Sequence, residues 1–353
     1  MEMKRTSDTV SGIQALRALA CALVIFQHAT FFACAAKGVD YHEYLRVNFG
    51  WTGVGLFFVI SGYVMGECFA QGKAFLLNRA ARIYPPFWIA IALSALLLGR
   101  AGGWALDARS IALLPSTSLN NSYQIPYWTL CYEIAFYCLT YLLILCGLSR
   151  NAVAAVCLVW LVFIWGFDTY YPVINSHFAP GWFSIVQPGG WILFSPMSAY
   201  FVIGLLLSAV GLQALRAVPT PLLALASICV WWLGNAITLS TYAQTAIVLA
   251  FSYGMALTAI ARIQFPTFVT RLGDYSYGAY LFHFMAIVAV QRALAPVSPT
   301  LRLSAVWAVL IVTGGLGGLA YGWLEHQLHT RVIKPILRLA RRRHAGLSQH
   351  AGS

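Results

Sequence analysis

The sequence predicts an all-α polytopic membrane protein, about ten transmembrane helices in one bundle with both termini cytoplasmic. Three observations predict it. Hydrophobic residues make up 60% of the 353 and charged residues only 9%, against roughly a quarter charged in an ordinary soluble domain. The apolar residues gather into runs about as long as a membrane-spanning helix, roughly 20 residues. Positive charge then alternates between the connecting segments. With the N-terminus inside, 15 of the Lys and Arg residues fall in inside segments, 6 fall in outside segments, and Arg17 lies within a run. That bias is the positive-inside pattern of an even number of spans.

In order, the runs are approximately 13–33, 51–70, 83–99, 127–147, 152–168, 190–210, 220–239, 244–262, 275–294 and 303–323. Pro85 and Pro86 then fall in the first turn of the third run, where proline is tolerated. Gly314, Gly315, Gly317 and Gly318 permit close helix approach in the tenth. Residues 1–330 form the membrane domain. Residues 331–353 form a basic cytoplasmic tail suited to anionic lipid. Ala33-Cys34-Ala35-Ala36 resembles a signal-cleavage site, but the run before it is long and holds Arg17, so a retained first span is expected.

The net charge of +12 reads as topology plus the basic tail. No soluble basic domain exists to hold nucleic acid. None of the eight cysteines has zinc-ligand spacing with a histidine partner, so no metal is expected and they read as small apolar packing residues. Cys131, beside Glu133, is the one with a conceivable role as a covalent acyl carrier. Two outer segments hold polar and aromatic clusters, Asn120 to Gln124 and the group Tyr170, Tyr171, Trp182 and Phe183. They suit either a sugar face or an interfacial aromatic belt.

Chemistry is sought where polar groups interrupt the runs, because an ionisable side chain in a span costs several kcal/mol and marks a functional site by default. The first run, Ile13 to Phe32, carries Arg17 and His28. Eleven residues apart, they share one helix face roughly 16 Å apart along the axis. Arg79 and Arg82, at i and i+3, share a face at the cytoplasmic end of the third run and present paired donors suited to phosphate. Glu133 lies about two turns into the fourth run, and His283 reaches mid-membrane in the ninth. Gly53, Gly55, Ser61 and Gly62 make a small-residue surface that allows tight packing or close approach of a ligand. Glu325 and His326, at the end of the last run, read as surface or tail-anchoring groups. Arginines on the cytoplasmic side with a histidine and a carboxylate deeper fit transfer of an acyl group to a hydroxyl, with histidine as base. Proton-coupled transport would use similar groups.

Several stretches together resemble the membrane acyltransferase-3 family of bacterial glycan O-acyltransferases. They are Arg17 with ten residues before His28, Phe57 to Tyr63, Arg79-Ala80-Ala81-Arg82 followed by Ile83-Tyr84-Pro85, Trp128-Thr129-Leu130 with Glu133, and Tyr277 to His283. They run in family order over nearly the whole chain. The resemblance implies acyl-CoA, in particular acetyl-CoA, as donor and a hydroxyl of an extracytoplasmic polysaccharide or lipid-linked glycan as acceptor. It implies His28 as catalytic base, Glu133 as a further catalytic residue, and Arg17, Arg79 and Arg82 near the CoA phosphates. Ser61, Tyr280 and His283 are further active-site candidates. The opening Ile13 to Ala18 is similar to exopolysaccharide acyltransferases of the inner membrane, which implies polysaccharide-assembly proteins as partners. The alternative is a transporter or flippase for a lipid-linked sugar or acyl donor.

Overall fold

The computed structural model describes residues 2–99, 108–114, 126–170, 189–212 and 217–339. Asn120 to Gln124, Tyr171, Trp182 and Phe183 lie outside the described residues, as does the tail beyond Leu339. Among the described residues there is no strand. The helices are α1 (Glu2–Lys37), α2 (Phe49–Glu67), α3 (Phe75–Leu98), the single turn α4 (Ala108–Ile111), α5 (Trp128–Leu145), α6 (Arg150–Tyr170), α7 (Ser198–Val210), α8 (Thr220–Ala236), α9 (Tyr242–Ile260), α10 (Thr267–Leu294) and α11 (Leu303–Leu328). Leaving α4 aside, each of the ten expected runs has its helix. Among the described residues, seven helical stretches are long and apolar enough to cross a membrane, while α7 and α8 are shorter apolar helices.

The outer surface is apolar, as a lipid-facing bundle requires. Leu96 is 81% exposed, Ile228 and Leu316 64%, and Val162 and Trp232 63%. The interior is apolar too, so helix packing gains little from the hydrophobic effect and depends on close van der Waals contact. Glycine supplies that contact where α2 crosses α7. A Cβ on Gly62 would lie 2.0 Å from the Phe201 carbonyl oxygen, and one on Gly204 would lie 2.0 Å from that of Val59. Neither position has room for alanine. Of the five glycines in α11, Gly314, Gly317, Gly318 and Gly322 face neighbouring atoms and Gly315 faces open space.

Helix α1 packs against α2, α9, α10 and α11, and α10 and α11 form an antiparallel hairpin beside it. Two polar clamps hold this group in register. The Gln14 amide donates to Asp274 Oδ1 at 2.5 Å near one end. At the other end, Lys37 Nζ donates to the carbonyls of Ser298, Pro299 and Leu301 at 3.0 to 3.1 Å, in the α10–α11 connection. Elsewhere the buried carboxylate of Asp168 accepts from the Ala243 N–H at 2.6 Å in the first turn of α9, where helix N–H groups lack partners.

Two expectations are corrected here. Pro85 and Pro86 do not open the third helix, because α3 begins at Phe75 and carries both prolines in its interior. Each proline removes one helical donor. Beside the prolines α3 is tied to its neighbours, with Tyr277 and Tyr321 donating their hydroxyls to the Ile83 and Pro86 carbonyls at 3.0 and 2.5 Å. Glu325 is not a surface group. It is 2% exposed and ion-paired with Arg82. Gly278 and Gly322 allow this, since a Cβ on Gly278 would meet Gly322 Cα at 2.6 Å, so α11 lies close enough to bring Glu325 to α3. Its neighbour His326 is half-buried against the Tyr275 ring. Beyond α11 the helical path continues through a π-helical turn, His329–Ile333, past the expected start of the tail at residue 331.

Candidate active site

The polar residues singled out in the sequence gather around two cavities stacked along α1. The first, about 130 Å³, lies between α1, α2, α3, α5 and α10. Arg17, Ser61, Arg79, Arg82 and Glu133 all line it, each from a different helix except the α3 pair. The pair shares a face because residues three apart in a helix are neighbours. Their surroundings differ. Arg82 donates to Glu325 and sits 5.4 Å from the centre of the Tyr277 ring. Arg79 donates to Cys68 Sγ at 2.8 Å, lies 5.5 Å from the Phe75 ring centre, and keeps a buried Nε without a partner. Ser61 Oγ is likewise buried without a partner. Glu133 sits within electrostatic reach of Arg17, Arg79 and Arg82. With Glu325 behind Arg82, three guanidinium groups face two carboxylates, which leaves the cavity positive and suited to an anion.

The second cavity, about 50 Å³, is lined by Gln27, His28, Asn48, Trp51, Trp128 and Tyr280, among others. His28 meets His283 here, with Nδ1 2.9 Å from His283 Nε2. His283 is fully buried, and its Nδ1 lies 3.1 Å from the Ala279 carbonyl oxygen. A carbonyl oxygen only accepts, so His283 Nδ1 carries the proton. In the neutral pair His283 Nε2 is then an acceptor, and His28 donates to it from Nδ1. The lone pair of His28 therefore sits on Nε2, the nitrogen left for chemistry. The Phe284 ring, edge-on to His28 at 5.0 Å, fixes the imidazole further. The result is a base whose tautomer is set by a second histidine.

Tyr280 and Val54 line both cavities. The Tyr280 hydroxyl is hydrogen-bonded to Thr129 Oγ1 at 2.9 Å, so this pair forms part of the wall between them. All the candidate residues are thus brought to one continuous region. The expected neighbours of His28 are sorted, however: His283 touches it, and Glu133 faces the arginines in the other cavity. Cys131 is buried, its thiol 3.9 Å from the Leu114 carbonyl oxygen. Sequence reasoning missed Gln27, Asn48, Trp51 and Trp128 as cavity walls, and Glu325 as the partner of Arg82. For Gln27 and Glu325 a signal was present, because a polar side chain in an apolar spanning run needs an explanation.

A family model described as an acyltransferase domain matches residues 10–321. That stretch contains every residue lining either cavity. No curated protein and no solved structure matches the chain. Glu325, the partner of Arg82, stands four residues beyond the matched stretch. With the match covering most of the sequence and both cavities, the chain belongs to the acyltransferase-3 family.

Proposed function

We propose that this protein transfers an acyl group, in particular acetyl, from cytoplasmic acyl-CoA to a hydroxyl of an extracytoplasmic polysaccharide or lipid-linked glycan. The observation that carries the proposal is His28, a neutral base with its free nitrogen turned away from His283, in a chain that belongs to an acyltransferase family. The arginine cavity takes the phosphates of the donor. Arg79 is the chief reader of phosphate, since its buried Nε has no partner, whereas Arg82 is already engaged by Glu325. The acyl group then passes the Tyr280–Thr129 pair to reach His28. There the acceptor oxygen bonds to the thioester carbonyl carbon while His28 Nε2 takes the hydroxyl proton. The CoA sulfur leaves with the C–S electron pair and receives that proton from His28.

The direction of transfer rests on topology. Ten spans with both termini inside place Arg17, Arg79 and Arg82 toward the cytoplasm, where acyl-CoA is made, and His28 toward the far side. The 15-to-6 distribution of positive charge supports that orientation. In a bacterial cell the corresponding membrane is the inner membrane, and polysaccharide-assembly proteins are the natural partners.

The test is labelled acyl-CoA incubated with membranes carrying the protein or its His28→Ala variant. Label is expected in glycan with the wild type alone. Equal labelling by the variant removes His28 from the mechanism. No CoA-dependent labelling across a broad glycan panel favours transport of a lipid-linked sugar or acyl donor.

A further inference from the structure

Gln27 stands beside His28 on α1, and the proposed chemistry leaves it unused. It is 1% exposed and lines the histidine cavity. Its orientation is decided by α2: the Phe49 N–H donates to Gln27 Oε1 at 3.1 Å, and a backbone N–H pairs only with the amide oxygen. Nε2 is therefore the free end, and it is a buried donor with no partner. Gly50 keeps the side chain in place, since a Cβ there would lie 3.1 Å from Gln27 Cγ. A buried donor left without an acceptor is uncommon and calls for an explanation.

The cavity around it also favours negative charge. Asn48, Gly50 and Trp51 belong to the N-terminal turn of α2 and line the cavity, and the N-terminus of a long helix carries partial positive charge. No carboxylate lines the cavity among the described residues. An acyl transfer develops negative charge at one point, the carbonyl oxygen of the acyl group as the hydroxyl adds to it. Fixed donors aimed at that oxygen are among the strongest contributors to such catalysis.

We propose that Gln27 Nε2 is the oxyanion donor of the acyl transfer, a reading that rests on the acyl-transfer function above. As the acceptor oxygen bonds to the thioester carbonyl carbon, His28 Nε2 takes the hydroxyl proton. The carbonyl π pair moves onto oxygen, and Gln27 Nε2–H holds that oxyanion. On collapse the pair re-forms the C=O bond, the C–S bond breaks, and the CoA sulfur takes the proton from His28.

The experiment compares wild type, Gln27→Met and Gln27→Glu in membranes, using acetyl-CoA with a glycan acceptor and with water as the only acceptor. Gln27→Glu keeps the oxygen that receives the Phe49 N–H, so it preserves the fold if Gln27→Met does not. Removing an oxyanion donor is expected to lower kcat about 10²–10³-fold, for glycan transfer and for hydrolysis alike, with both KM values within twofold of wild type. In Gln27→Glu, kcat should fall further as pH rises, because an ionised carboxylate faces the oxyanion. His28 and Tyr280 line the cavity, and His283 is bonded to His28, in both proteins, so all three cancel from that comparison. A raised acceptor KM with unchanged kcat would overturn the proposal and make Gln27 an acceptor-binding residue. Unchanged kcat in both variants overturns it outright. Absence of CoA-dependent transfer by the wild type removes the acyl-transfer reading itself, and this proposal with it.

Discussion

The two cavities lie next to each other, yet their chemistry is opposite. One gathers three arginines with Glu133, and Glu325 stands behind Arg82. The other holds a histidine, amides, indoles and a phenol, with no carboxylate among the described residues. Charge in a low-dielectric interior is costly unless paired, so it is concentrated where an anionic ligand can complete the pairing. A general base in the same setting works best neutral, with its proton position fixed by a hydrogen bond, as His28 is by His283. On the proposed mechanism, binding and proton transfer would thereby be kept in separate electrostatic environments, joined at Tyr280.

Substitutions that cross this division test it. His28→Ala should have the largest effect. Loss of a general base lowers turnover about 10²–10⁴-fold, measured as labelled acyl transfer, with the KM for acyl-CoA unchanged. A large change in that KM would mean the cavities are not functionally separate. Glu325→Ala comes next and acts on folding: breaking a buried pair costs about 3 kcal/mol, seen as a lower Tm in detergent. If the double variant Glu325→Ala with Arg82→Ala is no more stable than Glu325→Ala alone, the penalty does not come from the orphaned Arg82.

Arg79→Ala is expected to raise the KM for acyl-CoA roughly tenfold, the equivalent of one charge-assisted hydrogen bond, and to leave the acceptor KM alone. An unchanged donor KM returns Arg79 to a structural role beside Phe75 and Cys68. Tyr280→Phe removes the link to Thr129. Loosening that wall by about 1 kcal/mol should raise CoA release in the absence of acceptor a few-fold. No increase would mean that the hydrogen bond does not separate the compartments. The smallest effect is reserved for Cys131→Ala, which should leave turnover within twofold of wild type. A large loss would revive the covalent acyl carrier.

Much of the fold was legible because lipid imposes simple rules. Apolar runs of spanning length had to be helices, since only internal hydrogen bonding satisfies the backbone in hydrocarbon. Helix ends were less legible. The start of α3 at Phe75 was hidden because the eight residues before Ile83, including Asn78, Arg79 and Arg82, lower the local hydropathy. The prolines that suggested a helix start are instead interior. The candidate site was legible as a set of costly residues, and Arg17, His28, Arg79, Glu133 and His283 all face one of the two cavities or a partner there. Glu325 was misjudged because its burial depends on how closely α11 approaches α10, where Gly278 and Gly322 let the two backbones touch.

By itself the sequence determined that the chain is helical and built for lipid, and which residues are too costly there to be idle. Both follow from local properties, since hydropathy and charge are carried by each residue whatever its neighbours. Pairing was decided only by the tertiary structure. His283 rather than Glu133 touches His28, Arg82 is engaged by Glu325 while Arg79 keeps an unpartnered Nε, and Gln27 is left with a buried donor facing no acceptor. The physical reason is that these contacts join residues as far as 255 positions apart. Which side chains meet over such distances depends on helix rotation and spacing, set by where glycines let two backbones touch.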